Sequence, residues 1–220
     1  MTKAGKLFEE GKILEAASPG YAKSQRILAG NYLYGIGGFA IDYDKGFDFA
    51  KKAANAGDKR GQLFLGHCYL KGWGVATNYA TALTWYERCK DEHPLASNNM
   101  GFIYEKGRHG VVVNLTKAFE CYRKAAERGK AVGQFNLGFM YYDGRGVNQS
   151  FVEARKFFKM SADQNFVNAQ FKLRKMMMEG KGGAKNTLTG ITLIEKAAEG
   201  GYANATAYLT RKKWMRLIGL

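Results

Sequence analysis

The chain repeats itself at a spacing of about 36 residues, and that period limits the folds open to it. An array of short similar blocks cannot bury its apolar faces one block at a time. It does so by stacking copies into a solenoid. GQLFLGHCYLKGWGV (61–75), ASNNMGFIYEKGRHGV (96–111) and GQFNLGFMYYDGRGV (133–147) align directly, and SQRILAGNYLYGIGG (24–38) and AQFKLRKMMMEGKGG (169–183) fit the same frame. Ser24, Gly61, Ala96, Gly133, Ala169 and Ala205 open the blocks, at intervals of 37, 35, 37, 36 and 36 residues.

The second half of each block is more regular. Asp42, Asn78, Asn114, Ser150 and Asn186 recur every 36 residues. All are residues whose side-chain oxygen can cap a helix N-terminus. Four residues on come Gly46, Ala82, Ala118, Ala154 and Gly190, then the pairs Phe49-Ala50, Trp85-Tyr86, Cys121-Tyr122, Phe157-Phe158 and Leu193-Ile194. Lys-Ala-Ala closes the motif at 52–54, 124–126 and 196–198. Small and bulky residues three or four apart share one helical face. Each block therefore predicts two helices. Helix A runs from the small opener to a glycine pair such as Gly72/Gly74 or Gly144/Gly146; helix B runs from the cap to Gly57, Gly129 or Gly200. Glycine just past a helix supplies the left-handed residue that satisfies its last carbonyls.

The predicted architecture is all-α: an α/α solenoid of helix hairpins in one repeat domain, 1–220. It consists of an N-terminal capping helix (1–21), repeats at 22–58, 59–94, 95–130, 131–166 and 167–201, and a C-terminal half-repeat (202–220). Ile13 and Ala16-Ala17 place the first segment in the helix B register.

The residues 65–75 (LGHCYLKGWGV), 137–147 (LGFMYYDGRGV) and 80–89 (ATALTWYERC) resemble the Sel-one-like repeat (SLR) family, a relative of the tetratricopeptide repeat. The resemblance covers roughly residues 22–201 in five registers. It implies an α/α right-handed superhelical solenoid with a concave face and an adaptor or scaffold role, with host interaction, envelope processes and immunity among the bacterial uses. The chain departs from the pattern at Ala29 and Arg174, where glycine is usual, and at Met177, where tyrosine is usual. Looser packing is expected in those two units. It also lacks the paired cysteines of the family's disulfide-bridged branch.

By that resemblance helix A lines the groove. Assigning the opener, the Leu-Gly pair and the Tyr to the core leaves offsets −1, +2, +6, +9 and +10 from each opener for a partner. The residues chosen for the groove are Arg26, Tyr34, Arg60, His67, Lys71, Phe102, Lys106, Phe135, Phe139, Tyr142, Phe171, Lys175 and Trp214, with Lys23, Leu33, Leu63, Leu70 and Asn98 on the same offsets. Phe102, Phe135, Phe139, Tyr142 and Phe171 are expected to form a central aromatic cluster, with a basic rim toward the N-terminus. The opposing expectation is that Phe135 and Phe171 pack between adjacent A helices.

Charge narrows the partner. With 34 basic and 19 acidic residues the net charge is +15, which favours an acidic protein or peptide, a nucleic acid or an anionic surface. Basic residues are spread over many columns rather than one stripe, so nucleic acid ranks below protein. Three cysteines, Cys68, Cys89 and Cys121, without a CxxC argue against a zinc site or disulfide framework. The opening residues carry Glu9 and Glu10 and no long apolar stretch, and no transmembrane run occurs, so the expected compartment is the reducing cytoplasm without membrane association. GKGGAKNT (180–187) lacks the strand and GK[ST] ending of a phosphate loop and is read as scaffold, like the other glycine pairs. Asn114-Leu-Thr116 and Asn148-Gln-Ser150 coincide with caps and are not read as glycosylation sites. The basic RKKWMRL (211–217) reads as a terminal cap, with membrane, nucleic-acid or dimer contact as alternatives. No metal, cofactor or nucleophile–base pair is expected. The functions in order are a non-catalytic protein-binding scaffold, with an immunity or inhibitor role toward a toxic effector as one form of it; a nucleic-acid-binding solenoid; and a hydrolase.

Overall fold

The computed structural model describes residues 22–186. These contain nine α-helices: α1 (Ala22–Tyr34), α2 (Tyr43–Asn55), α3 (Lys59–Lys71), α4 (Tyr79–Cys89), α5 (Pro94–Lys106), α6 (Leu115–Glu127), α7 (Ala131–Asp143), α8 (Phe151–Asp163) and α9 (Val167–Glu179). A 3-10 turn spans Ile36–Gly38, and no strand occurs among the described residues. The expected capping helix over 1–21, helix B of the fifth repeat and the half-repeat over 202–220 lie outside them.

The chain divides after Asn114 into two compact units. In the first, α1/α2 and α3/α4 are hairpins, α3 also packs on α2 and α1, and α5 packs on α4. In the second, α7/α8 is a hairpin, with α6 packed on α7 and α9 on α8. The A helices (α1, α3, α5, α7, α9) are each 13 residues long and begin two residues ahead of the small opener. Asp58 accounts for that early start in α3, because its carboxylate accepts from Gly61 N at 2.7 Å. Of the caps expected on helix B, Asp42 accepts from Lys45 N at 3.0 Å, Asn78 from Thr81 N at 2.9 Å and Ser150 from Glu153 N at 3.3 Å.

One hydrogen bond keeps the register of every block. The backbone N–H of the cap column donates to the carbonyl of the Tyr column: Asp42 to Tyr32 (3.0 Å), Asn78 to Tyr69 (2.8 Å), Asn114 to Tyr104 (2.8 Å), Ser150 to Tyr141 (2.9 Å) and Asn186 to Met177 (2.9 Å). A main-chain bond does not depend on the side chain, so the fifth block keeps it with Met177 in place of tyrosine.

Packing explains the small columns. A Cβ on Gly61 would stand 2.6 Å from Ala53 Cβ, and one on Gly133 would stand 2.7 Å from Ala125 Cβ. In α3 and α7 the opener thus seats the A helix directly on the Ala-Ala pair of the preceding B helix. The Leu-Gly column faces the bulky residue of its own hairpin. A Cβ on Gly66 would lie 2.5 Å from the Tyr86 ring, and one on Gly138 2.8 Å from Phe158. The first block closes the same interface with Ala29 and Ala50, both fully buried, so it is not loosely packed. In the fifth block Arg174 is buried and its guanidinium carbon lies 5.6 Å from the Phe171 ring centre.

The glycine loops belong to this scaffold. Gly182, with φ 71°, sits against the carbonyl of Phe151, and Gly74 and Gly146 sit likewise against the carbonyls of Tyr43 and Leu115. The loop glycines face backbone at the start of the preceding B helix, which leaves no room for a phosphate.

Candidate functional site

On the helix A side of the first unit, α1, α3 and Leu95 of α5 enclose a cavity of about 380 Å³. Four of the groove residues chosen from sequence line it: Arg26, Tyr34, Arg60 and His67. The rest of the lining is Ile27, Gly30, Asn31, Ile36, Leu63, Phe64 and Leu95. Gly30, Asn31 and Tyr34 lie three, four and seven residues after Ile27 along α1, and Phe64 and His67 lie four and seven after Arg60 along α3, so one face of each helix supplies a wall.

Two of the polar groups inside are paired with each other. Tyr34 Oη lies 2.8 Å from His67 Nδ1. The neutral tautomer with its proton on Nε2 allows the Tyr34 hydroxyl to donate to that nitrogen. Burial, followed by the charge of Lys71, pushes His67 down from 6.5 to about 4, and burial pushes Tyr34 up to about 12. Both side chains are therefore uncharged at neutral pH. The Tyr34 ring meets Phe64 and Trp73 edge-on at 5.7 and 5.6 Å, and Trp73 stacks on Tyr43 at 5.2 Å.

The charge at the cavity is positive. The half-buried Arg26 holds Asp58 at only 3.9 Å, and the exposed Arg60 places its guanidinium carbon 5.8 Å from the Phe64 ring centre. Together α1 and α3 carry five basic residues (Lys23, Arg26, Lys59, Arg60 and Lys71) and no acidic one.

The other chosen residues fall elsewhere. Lys71 is exposed at the end of α3; Phe102 is half-buried near Tyr79, with the Lys106 ammonium 5.9 Å from its ring centre. In the second unit Phe135 and Phe139 meet edge-on at 4.9 Å, and both lean on the buried Phe158, at 5.7 and 5.2 Å. Tyr142 packs on Phe151 at 5.2 Å. Lys172 covers Phe139 and Tyr142 at 4.4 and 4.5 Å, and Lys181 Nζ donates to the Tyr142 hydroxyl at 3.0 Å. These three aromatics do come together, half-buried over the α8–α9 core. Phe171 is half-buried beside Arg174, Lys175 pairs with Glu179 at 3.8 Å, and Trp214 lies outside the described residues.

Two offsets read differently in three dimensions. Leu33 and Leu70, at +9, are 2 and 7% exposed and face the hairpin interior rather than a partner. A Cβ on Gly46 of α2 would fall 2.6 Å from Leu33, which shows how closely that leucine is seated on helix B. At +2, Leu63 and Asn98 are buried as well. The signal that finds the missed lining residues is the +3 offset, which places Ile27 and Phe64 beside Arg26 and Arg60 on the same wall.

Other reactive groups lie in the scaffold. Cys68 and Cys89 are buried, and burial pushes each thiol up to about 12, so both stay protonated near neutrality. Cys121 is half-buried. Among the described residues no group of three His, Cys, Asp or Glu side chains is placed to hold a metal, and no helix is long and apolar enough to cross a membrane.

The Sel1 repeat family matches this chain at residues 22–58, 59–88, 94–130, 131–166 and 167–202. A solved protective antigen from uropathogenic Escherichia coli strains, with an SLR fold, is 29% identical and superposes with a TM-score of 0.81 over 96% of this chain and 44% of its own. A Sel1 repeat protein from Oxalobacter formigenes is 26% identical, with a TM-score of 0.77 over 91% of this chain and 84% of its own. The Arabidopsis thaliana protein HRD3B, an ERAD-associated E3 ubiquitin-protein ligase component, is 30% identical over 48% of this chain and 17% of its own length. The chain thus spans less than a fifth of that relative and less than half of the E. coli antigen. Five matches in one register, on hairpins that share their caps, openers and register bond, show that the chain belongs to the Sel1 repeat family.

Proposed function

We propose that this chain is a non-catalytic binding module that holds an acidic protein or peptide on its helix A face. Sel1 repeat proteins act as protein-interaction scaffolds. The observation that carries the finer reading is the α1–α3 cavity, where an apolar lining adjoins Arg26 and Arg60 on two helices free of acidic residues. The net charge of +15 adds long-range attraction for an acidic partner. Neutralising a toxic effector, as an immunity protein does, is one form this binding takes if the partner is an acidic toxin.

The test is affinity purification with mass spectrometry, comparing the unaltered chain with the double variant Arg26→Glu/Arg60→Glu. The expected result is an acidic protein held by the first and lost by the second, with the helical circular-dichroism signal unchanged. Capture of nucleic acid instead, with affinity falling steeply as salt rises, would overturn the reading in favour of a nucleic-acid-binding solenoid.

A further inference from the structure

The α1–α3 cavity restricts what kind of acidic segment can bind. Its volume of about 380 Å³ is at the small end of ligand pockets, which run from about 300 to 1,000 Å³. Four large apolar side chains turn exposed surface toward this hollow: Ile27 (40%), Tyr34 (39%), Ile36 (55%) and Leu95 (38%). Apolar surface gathered around a concavity marks a contact site. The interior offers little to a charged group, because His67 and Tyr34 are neutral and bonded to each other.

Among the described residues, the charged side chains that line the cavity are Arg26 and Arg60. Asp58 already caps α3 through Gly61 N at 2.7 Å, and its 3.9 Å contact with Arg26 is long. An incoming carboxylate can draw Arg26 away at small cost. Arg60 lies over Phe64, which leaves its planar N–H groups for a carboxylate.

We propose that the cavity receives one aromatic or branched aliphatic side chain of a partner polypeptide, and that Arg26 and Arg60 hold the carboxylates flanking that side chain. The proposal rests on the reading that the chain binds an acidic partner through its A helices. It adds the anchor residue and the place it enters. The anchor supplies the desolvated contact, and the carboxylates fix its register.

Gly30 provides the means of closing the hollow from inside. It lies within α1, and a Cβ there would stand 3.3 Å from the edge of the Phe64 ring, so Gly30→Leu fills the space without a left-handed backbone to strain. Fluorescence anisotropy with a short labelled peptide containing Asp-Phe-Asp in a Gly/Ser spacer tests the proposal. The same spacer carrying Asn-Phe-Asn or Asp-Ala-Asp provides the controls. The expected result is binding of Asp-Phe-Asp, with each control weaker by about tenfold or more, a difference of about 1.4 kcal/mol. Gly30→Leu and Arg60→Glu lose affinity to the same extent, whereas Lys159→Glu on α8 does not.

Equal binding of the three peptides would overturn the proposal, as would displacement of the peptide by decanoate, which makes the hollow a fatty-acid site. Because Arg60 is on the surface, Arg60→Glu keeps the test decisive if Gly30→Leu does not fold. If a native acidic partner is lost by Arg26→Glu/Arg60→Glu but retained by Gly30→Leu, the anchor fails while the scaffold reading stands.

Discussion

The helix A faces of the two units use one template and reach opposite results. In α7 the +6 position is Phe139 and the facing B helix carries Phe158; the two rings meet at 5.2 Å and Phe135 joins them. The aromatic face is then filled from below and covered by Lys172. In α1 the +6 position is Gly30 and the facing B helix carries Ala50 in the Phe158 column. The next hairpin has His67 at +6, which leans on Tyr86 at 5.8 Å. What the second unit fills with aromatic rings the first leaves as a hollow. An apolar residue on the predicted groove face is thus not by itself a binding residue. What matters is whether the neighbouring B helix has already claimed it.

The largest effect that can break this contrast is expected at Phe158. Phe158→Ala should destabilise the chain by about 3–5 kcal/mol in urea unfolding, the usual cost of removing a fully buried phenyl ring. It should also loosen Phe135 and Phe139. A cost near zero would mean that the aromatic run stands free as a partner surface.

The pH dependence of the first unit comes next. The folded-state pKa of His67, about 4, lies below its ordinary value of 6.5. The unfolded chain therefore binds the proton more readily, so the stabilising contribution is full above 6.5 and is lost as pH falls toward 4. The loss is on the order of 3 kcal/mol at most. Thermal unfolding between those pH values should show it, and His67→Gln should flatten that part of the profile. An unchanged slope would contradict a half-buried neutral imidazole beside Tyr34.

Smaller changes sharpen the same comparison. Gly30→Ala should change stability by less than about 1 kcal/mol, because the helix propensity gained over a mid-helix glycine is set against a Cβ contact of 3.3 Å with the Phe64 ring. Gly138→Ala should lower it by about 1–3 kcal/mol, because the new methyl meets Phe158 at 2.8 Å. Thermal melts of the pair should therefore show the clear loss in Gly138→Ala alone. The smallest effect is expected for Lys172→Ala, about 0.5–1 kcal/mol, from a cation lost over Phe139 and Tyr142.

Much of this architecture was legible because its determinants are local. The caps Asp42, Asn78 and Ser150, the small openers and the left-handed glycines each act within a few residues of where they stand. The +9 column turns inward, against the groove expectation, because the rotation of an A helix is set by its partner. Leu33 is turned inward by the space above Gly46, on another helix. The cavity was legible only in part. Its arginines, Tyr34 and His67 follow from the helical period, but the hollow depends on Gly30 standing beside Phe64 of α3, and on Leu95 arriving from a third helix. The register bond from the cap N–H to the Tyr-column carbonyl has no side-chain signature.

Hydrogen–deuterium exchange of the whole chain, with and without a saturating Asp-Phe-Asp peptide, tests the central claim most directly. The account predicts slowed exchange in α1 and α3 (residues 22–34 and 59–71) and little change in α7 and α9. Protection concentrated in residues 131–143 and 167–179 instead, with α1 and α3 unaltered, would contradict it.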